Sequence, residues 1–216
     1  MKIVNKSHIL ILLLFCSVGF SQPNGYRLAS EIVKVEMEKK VIAASKQILS
    51  LQCNFVQEKS SVLLTETAVS KGMLSYKKSN LLRWEYTSPN KLLLVMNGEN
   101  VQMKNEQGTI SNSNKMFKQL SGFIVSTING EALSDNTNFK AEYYLDARKK
   151  DFVWIKLIPI NKRIKEMYLS IWIKMETTNY LASEIIMEEK SGDKTIIKLS
   201  NPKLNIDIPL KQFSIN

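Results

Sequence analysis

The chain of 216 residues holds a single histidine, His8, and only two cysteines, Cys16 and Cys53. Without a second histidine no zinc site built on paired imidazoles can form, and Ser-His-Asp or Cys-His catalysis would have to rest on His8 alone. Two cysteines make no disulfide framework, so the fold must stand on its core. Pro and Gly number 5 and 8, too few for a collagenous or low-complexity chain. Long apolar runs are missing as well: Ile9 to Phe20 is short of the roughly 20 residues that a spanning helix needs.

What is present is ordinary globular material, 44% hydrophobic and 23% charged, with 30 Lys+Arg against 20 Asp+Glu for a formal charge of +10. That excess favours anionic partners or surfaces. Lys2 and Lys6 precede the Ile9–Phe20 run, and Gly19 and Ser21 follow as small residues before Gln22. The pattern reads as a cleaved export signal over residues 1–21. Phe15 stands where a lipoprotein signal wants a small residue before its cysteine, so Cys16 does not read as a lipid anchor. Removing 1–21 leaves 195 residues, 28 basic against 20 acidic, no histidine and one cysteine, Cys53. The expected exported chain has no intrachain disulfide and no local motif for catalysis. Cys53 reads as a buried small hydrophobe.

Residues 27–50 carry Val33, Met37, Val41, Ala44 and Ile48 at helical spacing. From residue 51 the period turns to two. Strands are expected at 51–59, 70–77, 81–87, 91–96 and 99–104, with Asn97-Gly98 as the turn of the last hairpin. Further strands are expected at 138–146, 151–159, 164–176, 181–190 and 194–200, and 206–215, with Pro209, as an edge or irregular segment. Connections this short imply an antiparallel meander in one domain, 22–216. Between the two strand groups, residues 114–128 place Met116, Phe117, Leu120, Phe123, Ile124 and Ile128 at helical spacing around Gly122, which should shorten or break the helix.

The strands carry more apolar surface than one face of a sheet supplies. Leu82, Trp84 and Tyr86 alternate with Leu81, Arg83 and Glu85. In 152–158, however, Phe152, Trp154 and Ile158 oppose Val153, Ile155 and Leu157, and Leu92 to Met96 is apolar throughout. A closed-up barrel, a lipid-sized cavity or a sandwich core would each account for the surplus.

Asn54-Phe55-Val56-Gln57-Glu58-Lys59, then Gly72-Met73-Leu74, then Leu82-Arg83-Trp84-Glu85-Tyr86-Thr87-Ser88-Pro89 and the Asn97-Gly98 turn resemble the outer-membrane lipoprotein carrier (LolA) family. The likeness continues more weakly through Leu157-Ile158-Pro159, Ile185 to Gly192, Asn201-Pro202 and Phe213. It implies a mainly β, α+β fold: a half-open antiparallel β-barrel, with an N-terminal helix and a lid helix covering a hydrophobic cavity. It also implies a periplasmic carrier without cofactor or covalent chemistry, working as a monomer. Such a carrier takes acylated lipoproteins from an inner-membrane ABC transporter to an outer-membrane receptor or to the outer membrane itself.

On that resemblance the cavity and lid residues are Phe55, Leu82, Trp84, Tyr86, Leu94, Met96, Met116, Phe117, Leu120, Phe123 and Ile124. Phe117, Leu120, Phe123 and Ile124 are expected to plug the empty cavity and swing out when lipid enters. The family carries Arg or Lys followed by Pro as a lid latch; here the position reads Lys78-Ser79. A lysine is a rotatable point donor, so a Lys78 latch should be less directional than an arginine fork. Core packing is the competing reading for Phe55, Trp84 and Tyr86, as solvation is for Lys78. The competing functions are a carrier of another amphiphile (a glycolipid or lipid-linked precursor), an outer-membrane receptor of the same fold, a basic module for polyanions or membrane surfaces, and a hydrolase. No pattern of basic and aromatic residues points to nucleic acid.

Overall fold

The computed structural model describes residues 25–63, 66–112, 115–146, 148 and 150–215, with the side chains of Lys115 and Met116 outside the description. The expected export signal, 1–21, therefore lies outside the described residues. Among the described residues, no helix is long and apolar enough to cross a membrane.

The chain runs β1 (Tyr26–Leu28), α1 (Glu31–Lys46), β2 (Ser50–Ser60), β3 (Ala68–Lys77), β4 (Leu81–Ser88), β5 (Leu92–Asn97), β6 (Asn100–Asn105) and β7 (Ile110–Asn112). Then come α2 (Lys115–Ile128), α3 (Glu131–Ser134), β8 (Phe139–Asp146), β9 (Phe152–Pro159), α4 (Lys162–Lys165), β10 (Tyr168–Glu176), β11 (Ala182–Glu189) and β12 (Lys194–Leu204). A 3-10 turn at Leu210–Phe213 ends the order. All twelve strands form one sheet in the order β1-β8-β9-β10-β11-β12-β2-β3-β4-β5-β6-β7, with every pair antiparallel. β1 and β7 are unpaired edges, so this is a half-open barrel. The connections fix where the helices lie. The chain leaves the β7 edge and re-enters at β8 near the opposite edge, so α2 and α3 must cross the opening. α1 likewise carries the chain from edge strand β1 to the central strand β2.

One face of the sheet packs on these helices. Inward residues of β2–β6 and β8–β12, among them Phe55, Leu74, Trp84, Leu94, Ile155, Leu157, Ile173 and Ile197, form a single cluster with Val41 of α1 and Ile124 and Val125 of α2. Its tightest point is in β2, β3 and β4. Phe55 pairs with Gly72 and Gly72 with Tyr86 across the ladder. The Phe55 ring packs edge-on to Trp84 and Tyr86, each with centroids 5.1 Å away, and Trp84 and Tyr86 stack at 6.1 Å. Such pairs add about 0.5–1.5 kcal/mol each beyond area burial. Gly72 is required by this packing: a Cβ there would sit 1.9 Å from the Glu85 carbonyl oxygen and 2.7 Å from the Phe55 ring. The F-x-Q, G-x-L and L-R-W-x-Y segments are thus one aromatic knot.

Several expectations need correction. Tyr26–Leu28 is an edge strand where a helix was expected from residue 27, because its backbone completes the ladder beside Tyr144–Asp146. The strand expected from 164 begins at Tyr168, after the helical turn α4, which Asn161 caps by accepting from the Arg163 N–H at 2.9 Å. The hairpin turn lies one residue later than expected, at Gly98-Glu99: Asn97 pairs with Asn100, and Gly98 takes φ +60° at the first turn position. Residues 206–215 form no strand, and pack instead against the outer face of β4 and β5.

That packing explains part of the apolar surplus. Leu93 and Val95 lie under Ile208 and Phe213 in a small outer cluster. Arg83 braces the segment, donating to the Gln212 carbonyl at 3.3 Å and to Glu85 at 2.9 Å, while Lys77 donates to the Ile208 carbonyl at 2.7 Å. The rest of the surplus is a second outer cluster, Tyr144, Trp154 and Trp172, with Tyr26, Phe152 and Ile186 around it. Lys156 lies over the Trp172 ring at 4.8 Å and Lys174 over Phe152 at 4.0 Å.

Two buried polar atoms, Trp84 Nε1 and the Tyr143 hydroxyl, have no hydrogen-bond partner among the described residues. Burial, with the Glu38 charge adding to it, holds the Tyr143 phenol well above its ordinary pKa, so it stays a neutral donor. Tyr143→Phe removes only the orphaned hydroxyl and is expected to stabilise the protein by about 1 kcal/mol in urea unfolding, since an unmade buried hydrogen bond costs about 1–3 kcal/mol. Gly72→Ala should destabilise it, toward the top of the range of about 1–3 kcal/mol for overpacking, because backbone rather than a flexible side chain must move.

Candidate functional site

Two cavities lie between the inward face of the sheet and α2. The first, about 310 Å³, is lined by Gln57, Lys59, Ser70, Tyr86, Pro89, Asn90, Leu92, Phe117, Leu120, Tyr168, Met187, Glu189 and Thr195. The second, about 220 Å³, is lined by Gln119, Leu120, Phe123, Ser126, Asp135, Asn138, Phe139, Ile164, Met167, Tyr168, Ile171 and Met187. Both share Leu120, Tyr168 and Met187, so these side chains form the partition between them.

The lid is anchored at one end. In the C-terminal half of α2, Ile124, Val125 and Thr127 are buried, and Phe123 lies edge-on to Phe139 at 6.2 Å. Gly130 follows in the left-handed region, φ +81°, and a Cβ there would come 2.3 Å from Ser45 Oγ of α1. In the N-terminal half, Phe117 and Leu120 are only partly buried and face cavity space. Gly122 lies between the halves, and nothing stands within 4 Å of the Cβ position it lacks. Ser121 is nearly fully buried; its hydroxyl donates back to the Phe117 carbonyl at 2.8 Å, leaving an apolar underside.

The wall opposite is mixed. The Tyr86 hydroxyl donates to Gln57 Oε1 at 2.9 Å, and burial pushes its pKa up to about 12 despite that bond. Lys59 and Glu189 pair at 3.7 Å across the polar end of the first cavity. The apolar depth with a polar end suits an amphiphile with its head outward. Among the described residues, no group of three His, Cys, Asp or Glu side chains could hold a metal.

The residues expected from the sequence divide into four groups. Tyr86, Phe117, Leu120 and Phe123 line the cavities. Phe55, Leu82, Trp84, Leu94 and Ile124 are packed in the core, each at most 2% exposed, with Met96 against it, and line neither of these two cavities. The Met116 side chain lies outside the described residues. Lys78 is exposed, in a separate hollow of about 410 Å³ with Lys46, Asn129, Gly130, Glu131 and Ser134, where α2 meets α3. Ser79 beside it has φ +78°, a conformation closed to proline, so the loss of the family's Pro belongs to a different turn.

Sequence reasoning missed Tyr168, Gln57, Leu92 and Ile164 as lining residues. Met167 and Met187, flexible thioethers that suit an adaptable cavity, lie on that side of the site. Cys53 is buried and lines a third hollow of about 210 Å³ with Ile48, Leu181 and Leu199. Burial pushes its thiol pKa up to about 12, which keeps it in the protonated form at neutral pH.

Comparison with known proteins follows the same lines. A sequence model of the family described as "Outer membrane lipoprotein carrier protein LolA" matches residues 46–216. Outer-membrane lipoprotein carrier proteins of Pseudomonas paraeruginosa and Pseudomonas aeruginosa are each 26% identical over 160 residues, 73% of this chain and 71% of theirs. Among solved structures, a LolA superfamily protein from Nitrosomonas europaea is similar with a TM-score of 0.45 at 14% identity, covering 82% of this chain and 97% of that one. The lipoprotein LppX of Mycobacterium tuberculosis gives 0.43 at 13%, covering 83% and 99%. With the family's sequence model spanning α1's last residue to the C-terminus, this chain belongs to the outer membrane lipoprotein carrier protein LolA family.

Proposed function

We propose that this chain is an exported, non-catalytic carrier that takes the acyl chains of lipoproteins into its barrel and ferries them through the periplasm, from an inner-membrane ABC transporter to the outer membrane. The observation that carries the reading is the asymmetry of α2, rooted at Ile124–Thr127 and set over two adjoining apolar cavities at Phe117 and Leu120. Family membership and the printed names of the curated relatives support the cargo class.

The volumes define what the lid must do. Sites for small ligands span about 300–1,000 Å³. The two cavities are at or below the low end of that range, so several acyl chains enter only if Phe117, Leu120 and Phe123 withdraw. Energetics point the same way. On the order of 40 CH₂ groups at about 0.8 kcal/mol each would give about 30 kcal/mol, beyond the roughly 18–21 kcal/mol at which non-covalent affinity saturates. A carrier must also let go. Displacing lid side chains that already fill the barrel offsets part of that gain and keeps binding reversible. A Lys78 latch would act at the α2–α3 joint, whose hollow it lines, rather than on the N-terminal half of α2.

The test is extraction. Purified mature protein is expected to release a triacylated lipoprotein from membrane vesicles into the soluble fraction, and to leave the same lipoprotein without its acyl chains behind. Release of neither form would refute lipoprotein cargo; extractable lipid co-purifying with the protein would then mark another amphiphile. A second prediction concerns the lid. Gly122→Ala adds a methyl group to open space and should favour the helix by about 1 kcal/mol. Amide exchange at 117–123 should slow in the empty protein, and acyl uptake should slow with it.

A further inference from the structure

Leu63 is the most exposed large apolar side chain among the described residues, at 90%, and Val62 beside it is 67% exposed. Both belong to the connection between β2 and β3 and are its protruding part among the described residues. This part is held in place. The Val62 N–H donates to Asp193 Oδ1 at 3.2 Å, and a Cβ on Gly192 would come within 2.8 Å of the Val62 side chain. These contacts fasten it to the β11–β12 turn. The first residue of that turn, Lys190, donates its N–H to the Met167 carbonyl at 2.9 Å, just past α4.

This chain of contacts runs along the mouth of the site. Lys59 and Ser70, on the flanking strands, line the larger cavity, and Ile164 and Met167 line the smaller. α4 adds Lys162, Arg163 and Lys165, all exposed, and Leu169 beyond it is 41% exposed. The rim therefore combines protruding aliphatic side chains with a short cationic turn, the two kinds of signal that favour binding at a lipid interface.

We propose that this rim is a membrane-docking surface, with Val62 and Leu63 entering the headgroup–acyl boundary and α4 meeting anionic headgroups. A bilayer fits better than a protein receptor. A protruding pair of aliphatic side chains offers a protein no concavity to fill and no directional donors, whereas a lipid interface asks only for depth and charge. Docked in this way, both cavities open against the membrane surface. On the carrier reading above, acyl chains then pass between barrel and bilayer without crossing water; the docking itself does not depend on that reading.

Flotation with protein-free vesicles of phosphatidylethanolamine and phosphatidylglycerol tests it. The wild type is expected to float, and Leu63→Asp to bind at least about tenfold more weakly at any salt concentration. Lys162→Glu with Arg163→Glu should weaken binding at low salt and converge on the wild type at high salt. The thermal midpoint of Leu63→Asp should match the wild type, and so should its uptake of a fluorescent fatty acid, because so exposed a side chain contributes little to packing. Equal flotation of wild type and Leu63→Asp would overturn the proposal. So would a wild type that floats only with vesicles containing membrane proteins, which would point to a receptor. A wild type that floats but extracts no lipoprotein would leave docking standing and remove the carrier reading.

Discussion

A sheet that curls without closing cannot cover its own concave face. Here the chain leaves that sheet at one edge, β7, and must resume near the other, at β8. The crossing segment spans the opening, and the cheapest way to span it with satisfied backbone groups is a helix with one apolar side. The lid is thus a consequence of strand order. Because its far end runs into Gly130, packed on Ser45 of α1, one half of the crossing is fixed and the other is left over empty space.

The knot of Phe55, Gly72, Trp84 and Tyr86 gives the rigid counterpart. The motif that makes this family visible in a single sequence is in this protein chiefly a packing solution, with Gly72 letting an aromatic ring lie on the backbone of the neighbouring strand. Tyr86 and Gln57 extend from it to the cavity wall, so one motif both stiffens the barrel and furnishes part of its lining. The deeper aromatics are wall rather than pocket in the closed conformation.

Legibility in the sequence followed the strength of local signals. Period-two alternation located most strands within a residue or two, because each has one face committed to the core; β10 starts four residues later than expected and β12 runs four residues further, past a register shift between Ser200 and Lys203. Tyr26–Leu28 was hidden because three residues hold no period and their strand character comes from Tyr144–Asp146, more than a hundred residues away. The C-terminal segment misled for a related reason: Ile208 and Phe213 are apolar to cover Leu93 and Val95, not to extend the sheet. Half of the site was legible from the helical spacing of Phe117, Leu120 and Phe123. The opposite half, Tyr168 with Met187 and Ile164, is assembled from separate strands and a turn, and no spacing along the chain records that meeting.

The lysines over the outer aromatic rings change how the charge of the chain should be understood. Lys156 and Lys174 act as insulation, their stems and ammonium groups shielding Trp172 and Phe152 from water on the outer face of the sheet. Lys59, Lys140 and Lys198 are engaged with carboxylates. These pairings leave the formal +10 as it is, since it already counts both signs, but on the outer face Lys156 and Lys174 serve packing as well as charge. Neutralising either ring-covering lysine would expose greasy wall as well as remove charge, so its first symptom should be self-association of the protein rather than a weaker grip on any acidic partner.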